Sequence, residues 1–277
     1  MKLPFVKLEG LGNCYIFIEA RNVRNHVLPR LAIRMSSVAT GIGSDGLIVV
    51  DSSQEPFAMR IFNKDGSEAE LCGNGLRQAA LFLKSLKRLR AKKMKLQTIA
   101  GEFLAEIISS SKNKAIIKTV LGKPEFNARA VGLKAKSKLT FDIPVKTSVG
   151  RFNVDAVRVG NPHAVVWVDN YDFDWRTAGQ EISTDPLFPR GINVHFCRVL
   201  NSRKFLMKIF ERGSGITEAC GSGAAACLAA GVMRSYLYKS AKADMPGGIL
   251  NLHWEFKDGL INQEGPASIV CSGEYFI

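Results

Sequence analysis

Histidine is scarce in this chain, with four in 277 residues, widely scattered. The six cysteines, at positions 14, 72, 197, 220, 227 and 271, include no Cys-x-x-Cys pair. Structural zinc sites rest on ligands clustered at short spacing, so no metal centre is expected from this pattern. No apolar run approaches the roughly 20 residues that span a bilayer, and no membrane role is expected. The start, Met1-Lys2-Leu3-Pro4-Phe5, carries no long apolar stretch, so no secretory signal is expected and the cytoplasm is the expected location. In that compartment, in a chain with an ample core, the thiols are expected to stay reduced. No segment is low in complexity.

What is present is ordinary for a soluble globular protein: 46% hydrophobic and 23% charged residues. The net charge of +13 is less ordinary. Lysine and arginine crowd Lys84–Lys95, Lys134–Lys138 and Arg203–Lys208, a surface that can attract nucleic acid or anionic substrates. These runs have few interleaved aromatics and match no nucleic-acid motif. A solvated basic face is the favoured reading, and nucleic acid is not an expected partner.

One pattern occurs twice. Ile61-Phe62 precedes Cys72-Gly73-Asn74-Gly75 by the same interval at which Ile209-Phe210 precedes Cys220-Gly221-Ser222-Gly223, and the cysteines lie 148 positions apart. Gly12-Asn13 and Gly160-Asn161 share that offset, and Ala100-Gly101 and Gly247-Gly248 are 147 apart. A constant offset through four landmarks predicts two structurally similar halves. Residues 1–122, joined by a C-terminal strand over 266–277, form the expected first half, and 123–265 the second. In each, a half-buried strand leads through the cysteine turn into a helix. Ala224–Val232 is apolar all round, so that helix should be wholly buried. Each cysteine therefore stands at a helix N-terminus, where backbone N–H groups and the helix dipole favour negative charge. A thiol there is expected to have a lowered pKa. A small residue at a tight turn is the plainer reading of either cysteine alone; two copies in register favour a pair facing one cleft.

Elsewhere, a helix is expected over Val27–Val38, a turn at Gly160-Asn161-Pro162-His163, a lysine-rich loop over Phe126–Lys138, and one buried helix per half among dominant strands.

These landmarks together resemble the diaminopimelate epimerase family. The likeness runs from Gly10-Leu11-Gly12-Asn13 through Gly41-Ile42-Gly43-Ser44-Asp45, Phe62–Gly66, Cys72–Arg77, Gly160–His163, Phe188-Pro189, Asn193-Val194, Glu211-Arg212-Gly213 and Cys220–Gly223 to Gly265-Pro266-Ala267. The resemblance implies an α/β (α+β) fold of two pseudo-symmetric, strand-rich domains. Each is a curved, mainly antiparallel sheet wrapped round a central helix, with the active site in the cleft between them. It implies epimerisation of LL- and meso-2,6-diaminopimelate with no pyridoxal phosphate, flavin or metal, one cysteine serving as base and the other as acid. Dimers are common in the family, so a homodimer is the expected assembly.

By the same resemblance, Asn13 and the backbone of Gly73-Asn74 and Gly221-Ser222 hold the reacting carboxylate. Asn63, Asn161, Asn193 and Arg212 hold the distal one, and Glu211 lies near an amino group. A guanidinium can grip a carboxylate at two points, which fits a diacidic amino acid. The asparagines also read as turn residues, Glu211 and Arg212 as a surface pair, and His163 as structural or substrate-contacting alike. Three positions depart from the family pattern: Cys14, Gly46 (where a substrate-contacting glutamine is usual) and Gln78. A racemase or epimerase for histidine, glutamate or hydroxyproline is the nearest alternative; a basic nucleic-acid-binding protein on the same scaffold is an alternative of another class.

Overall fold

The computed structural model describes residues 2–89, 91–134 and 140–277. Arg90 and positions 135–139, which hold most of the second lysine run, lie outside the described residues. The chain divides into two compact units, Met1–Val120 with Glu264–Ile277 and Leu121–Gln263. The first contains β1 (Lys2–Gly10), β2 (Asn13–Glu19), α1 (Leu28–Ser36), β3 (Gly46–Asp51), β4 (Phe57–Asn63), β5 (Glu68–Ala69), α2 (Gly73–Ser85), β6 (Lys93–Thr98), β7 (Gly101–Ser110) and β8 (Lys114–Gly122). The second contains α3 (Ala128–Val131), β9 (Ile143–Thr147), β10 (Gly150–Val159), β11 (Asn161–Trp167), α4 (Trp175–Ser183), β12 (Asn193–Asn201), β13 (Lys204–Glu211), β14 (Gly215–Ile216), α5 (Gly221–Met233), β15 (Ser240–Met245) and β16 (Gly248–Trp254). β17 (Ile261–Phe276) starts there and ends in the first unit. The fold is strand-rich α+β.

In the first unit the strands pair in a ring. β1–β2, β3–β4, β6–β7, β7–β8 and β17–β1 are antiparallel, whereas β2–β3 and β4–β6 are parallel. Pairing of β17 with β8 closes it. Leu76, Ala79, Ala80 and Leu83 of α2 pack against Phe17, Ile48, Met59, Met94, Ala105 and Ile117 from these strands. α1 covers a separate cluster with Ile16, Ile18, Leu47 and Val49. Alternate residues of the strands thus face two cores, and each fully buried Leu or Ile is worth about 2 kcal/mol.

The second unit repeats this order. β9–β10, β10–β11, β12–β13 and β15–β16 are antiparallel, with β11–β12 and β13–β15 parallel. α5 is buried over most of its length, and its small residues permit close approach: a Cβ on Gly231 would lie 2.5 Å from Leu237. α4 packs Trp175, Ala178 and Ile182 against Val194 and Phe196. Arg234, the C-cap of α5, holds Asp155 in a two-point ion pair, Nε to Oδ2 at 3.0 Å and Nη2 to Oδ1 at 2.6 Å. Trp167 Nε1 donates to the same carboxylate at 2.8 Å.

Three expectations need correction. The helix α4 went unforeseen, although it stands 147 positions after α1 and is capped by Asp174, whose carboxylate accepts the N–H groups of Arg176 and Thr177. The turn before β11 is Gly160 alone, with φ +75°, because Val159 already pairs with Asn161; Asn161, Pro162 and His163 are strand residues. The 126–138 stretch contains α3, nucleated by Asn127, whose Oδ1 accepts the Ala130 N–H at 2.8 Å, and ended by left-handed Gly132.

Asp155 is almost wholly buried, so replacing it leaves the Trp167 indole N–H without its acceptor and Arg234 paired with Asp142 alone. The Asp155→Ala chain is expected to lose about 3 kcal/mol of stability in urea denaturation, against less than about 1 kcal/mol for loss of the exposed Lys2–Glu274 pair in Lys2→Ala.

Candidate active site

In the first unit, Cys72 is the N-cap of α2. Its Sγ accepts the Gly75 N–H at 3.3 Å and lies 3.8 Å from Asn13 Oδ1. Gly75 has no room for a side chain, since a Cβ would meet Ile48 at 2.9 Å. Asn13 opens β2 after the two-residue turn Leu11-Gly12, both with positive φ, a geometry that hairpins with matching twist require. Its amide is fixed on both sides: Nδ2 donates to Asp45 Oδ2 at 2.8 Å, and Oδ1 accepts from Asn74 Nδ2 at 3.4 Å. Gln78 Nε2 donates to the Asn13 carbonyl at 2.9 Å. Behind this set lies Arg77, wholly buried, donating to Asn74 Oδ1 and to the Gly73 carbonyl. Burial pulls its pKa down to about 10, while Cys72 and Glu9 oppose the shift, so a Cys72 thiolate and the Arg77 cation stabilise one another.

In the second unit, Cys220 is the N-cap of α5, with Sγ 3.7 Å from Ser222 Oγ. Burial pushes its thiol pKa well up and the Glu211 carboxylate adds to the rise; the Gly223 N–H and Ser222 act against it. The expected lowering by the helix N-terminus is therefore overturned here, because desolvation outweighs the dipole. Glu211 is oriented by Thr217, whose hydroxyl donates to Oε1 at 2.6 Å. His163 on β11 and His195 on β12 are fully buried, Nδ1 to Nε2 at 2.9 Å. Burial holds His195 down to about 3 and His163 well below its usual range, with His195 beside it contributing.

Asn193 joins three strand ends, Nδ2 donating to the Pro162 carbonyl at 2.9 Å and Oδ1 accepting the Arg212 N–H at 3.0 Å. Arg212 anchors Nη1 on the carbonyls of Arg190 and Gly191. It lines a cavity of about 610 Å³ with Phe188, Arg190, Gly191 and Phe210. Asn161 is half-buried at the start of β11. Asn63, at the end of β4, bonds locally to Ser67 Oγ at 3.0 Å and not to the Cys72 set. Gly221 and Gly73 lie in the first helical turns; a Cβ on Gly221 would meet Gln263 at 2.5 Å. At Gly46 a Cβ would sit 2.1 Å from the Phe62 carbonyl, so the backbone leaves no space for a side chain there.

The two half-sites are thus alike in backbone and unlike in charge. The helical position of Arg77 is held by Ala225, 148 positions on, and the strand position of His195 by Ile48, since His195 pairs with Ile209 as Ile48 pairs with Ile61. Asp45, Arg77 and His195 carried no assigned role in the sequence reading. The loop Gly43-Ser44-Asp45 and a cation inside an apolar helix were the available signals.

Paired strand-wrapped units of this order occur in a hydroxyproline epimerase from Agrobacterium vitis. That structure superposes with a TM-score of 0.73 over 99% of this chain and 92% of that one, at 13% identity. The fold is therefore the one found in racemases and epimerases. The diaminopimelate epimerase family model matches residues 5–127 and 155–270. Diaminopimelate epimerases from Halothermothrix orenii and Pelotomaculum thermopropionicum are 36% and 34% identical, covering 100% and 99% of this chain and 99% of each relative. The chain belongs to the diaminopimelate epimerase family and is an isomerase.

Acid should expose the buried imidazoles. Unfolded histidine binds a proton near pH 6.5, whereas folded His195 does so only near 3. The unfolded state thus takes up more protons between these limits, and stability falls as pH drops through them. The expected slope is about 1.4 kcal/mol per pH unit for each such group. Urea denaturation from pH 7 to 4 measures it, and His195→Gln should flatten it.

Proposed function

We propose that the chain interconverts LL- and meso-2,6-diaminopimelate, with Cys72 and Cys220 as the two acid–base groups. The observation that carries this is that, in a member of this family, a cysteine caps the buried helix at the same repeat position in both units. Inverting an α-carbon requires a proton to leave one face and another to arrive at the opposite face. A thiolate takes the first proton and becomes a thiol; a second thiol gives its proton and becomes a thiolate. The electron pair left on the α-carbon spreads into the substrate carboxylate. Charge developing there is stabilised by the N–H groups of the first turns, at Gly73-Asn74 and Gly221-Ser222, together with Asn13.

The unlike surroundings of the thiols support a division of labour at rest. The buried Arg77 cation favours a thiolate at Cys72, whereas burial and Glu211 keep Cys220 protonated. The fork of Arg212, with Asn63, Asn161 and Asn193, is assigned to the distal carboxylate, and Glu211 to an ammonium group. His163 is assigned no contact with substrate. A homodimer and a cytoplasmic location go with this reading and rest on the family resemblance.

Incubation in deuterated water with diaminopimelate, histidine, glutamate and hydroxyproline tests it. Isomer change with α-deuterium uptake is expected for diaminopimelate alone, and Cys72→Ala and Cys220→Ala are each expected to lose at least about a thousandfold in turnover. Full turnover in either variant sinks the two-thiol assignment.

A further inference from the structure

His163, His195 and Cys220 come from three separate segments, β11, β12 and the cap of α5, all within the second unit. A ring nitrogen from each histidine and the cysteine sulfur lie within 4.8 Å of one another. Both histidines are fully buried and Cys220 is 5% exposed. The two rings share one contact, Nδ1 of His163 to Nε2 of His195 at 2.9 Å. Their outer nitrogens, Nε2 of His163 and Nδ1 of His195, meet no hydrogen-bond partner among the described residues. Coordination of a cation through the facing nitrogens takes the place of this hydrogen bond and leaves the outer nitrogen of each ring as an N–H.

We propose that His163, His195 and Cys220 form a binding site for a thiophilic divalent cation of the zinc class. Two nitrogens and one thiolate are the donor set that zinc favours over magnesium or calcium. Zinc binds nitrogen at about 2.0 Å and sulfur at about 2.3 Å, so adjacent ligand atoms stand roughly 3.3–3.6 Å apart. The three donor atoms, within 4.8 Å of one another, draw together to reach that spacing. On binding, the Cys220 thiol releases its proton to solvent and the S–Zn bond forms. The packing of the His195 ring on Gly223 holds this arrangement: a Cβ at 223 would lie 2.3 Å from the imidazole. No short-spaced motif marks the site, because the ligands are 25 or more positions apart.

The consequence for turnover rests on the catalytic role proposed above for Cys220. A cation that holds this sulfur as a ligand removes the acid of the second half-site, so zinc should act as a reversible inhibitor.

The test uses the full-length, reduced chain with cobalt(II) as probe. One equivalent is expected to produce the near-ultraviolet thiolate-to-cobalt band and tetrahedral visible bands, which zinc displaces and chelator abolishes. In Cys220→Ser the thiolate band should vanish, and in His195→Gln affinity should fall at least about 100-fold. Cys227→Ala should retain the band, which separates this site from the adjacent buried Cys197 and Cys227 thiols, 3.1 Å apart. Absence of a cobalt band in the unmodified chain overturns the site regardless of how the variants fold, as does a band that survives Cys220→Ser. The band and turnover separate the two proposals. A zinc-loaded chain that keeps full turnover refutes the catalytic role of Cys220 and leaves the site standing. A chain that binds no cobalt but is inactive as Cys220→Ala refutes the site alone.

Discussion

Each unit depends on enclosing one helix within its own strands. α2 and α5 bury most of their length, and this is possible because their inward faces carry alanine, glycine and leucine, which let the backbone approach the sheet closely. Enclosure fixes where the helix begins. The first turns leave little room for a side chain: a Cβ on Gly75 would lie 2.9 Å from Ile48, and one on Gly223 2.3 Å from the His195 ring. The cysteine at each cap stands beside backbone donors suited to a carboxylate. Repeating the unit repeats the placement.

Divergence between the halves then does chemical work. Around Cys72 the fully buried cation is Arg77, tied to Asn74 and Gly73. Around Cys220 the buried groups are neutral imidazoles and a nearby carboxylate, and the thiol is shifted toward its protonated form. Burial thus holds Cys220 toward its thiol, whereas the charge inside the first unit's helix is the Arg77 cation, and the proposed assignment of acid and base rests on that difference. The same imidazoles supply the donors of the proposed cation site, so one departure from symmetry underlies both inferences.

Much of this was legible in the sequence. The offset of 147–148 exposed the duplication, and the all-apolar run after Cys220 announced a buried helix. What escaped notice did so for physical reasons. α4 is short and half polar, so its period was weak; only its register with α1 would have revealed it. His163 looked like a turn residue because one glycine, at +75°, makes the whole reversal before β11. The acidity of Cys220 was misjudged because position at a helix end can be read from a sequence, whereas complete burial, with the larger effect, cannot. Arg77 and His195 lie inside apolar stretches, where a chain gives no sign of what a polar side chain will meet.

The most direct test of two thiols serving one stereocentre is the distribution of deuterium in the first turnover of the LL isomer in deuterated water. Two separate acid–base groups require deuterium at the inverted carbon of the meso product and none in the recovered starting isomer. Equal labelling of both isomers, or return of the original hydrogen to the product, would mean that a single group does both steps.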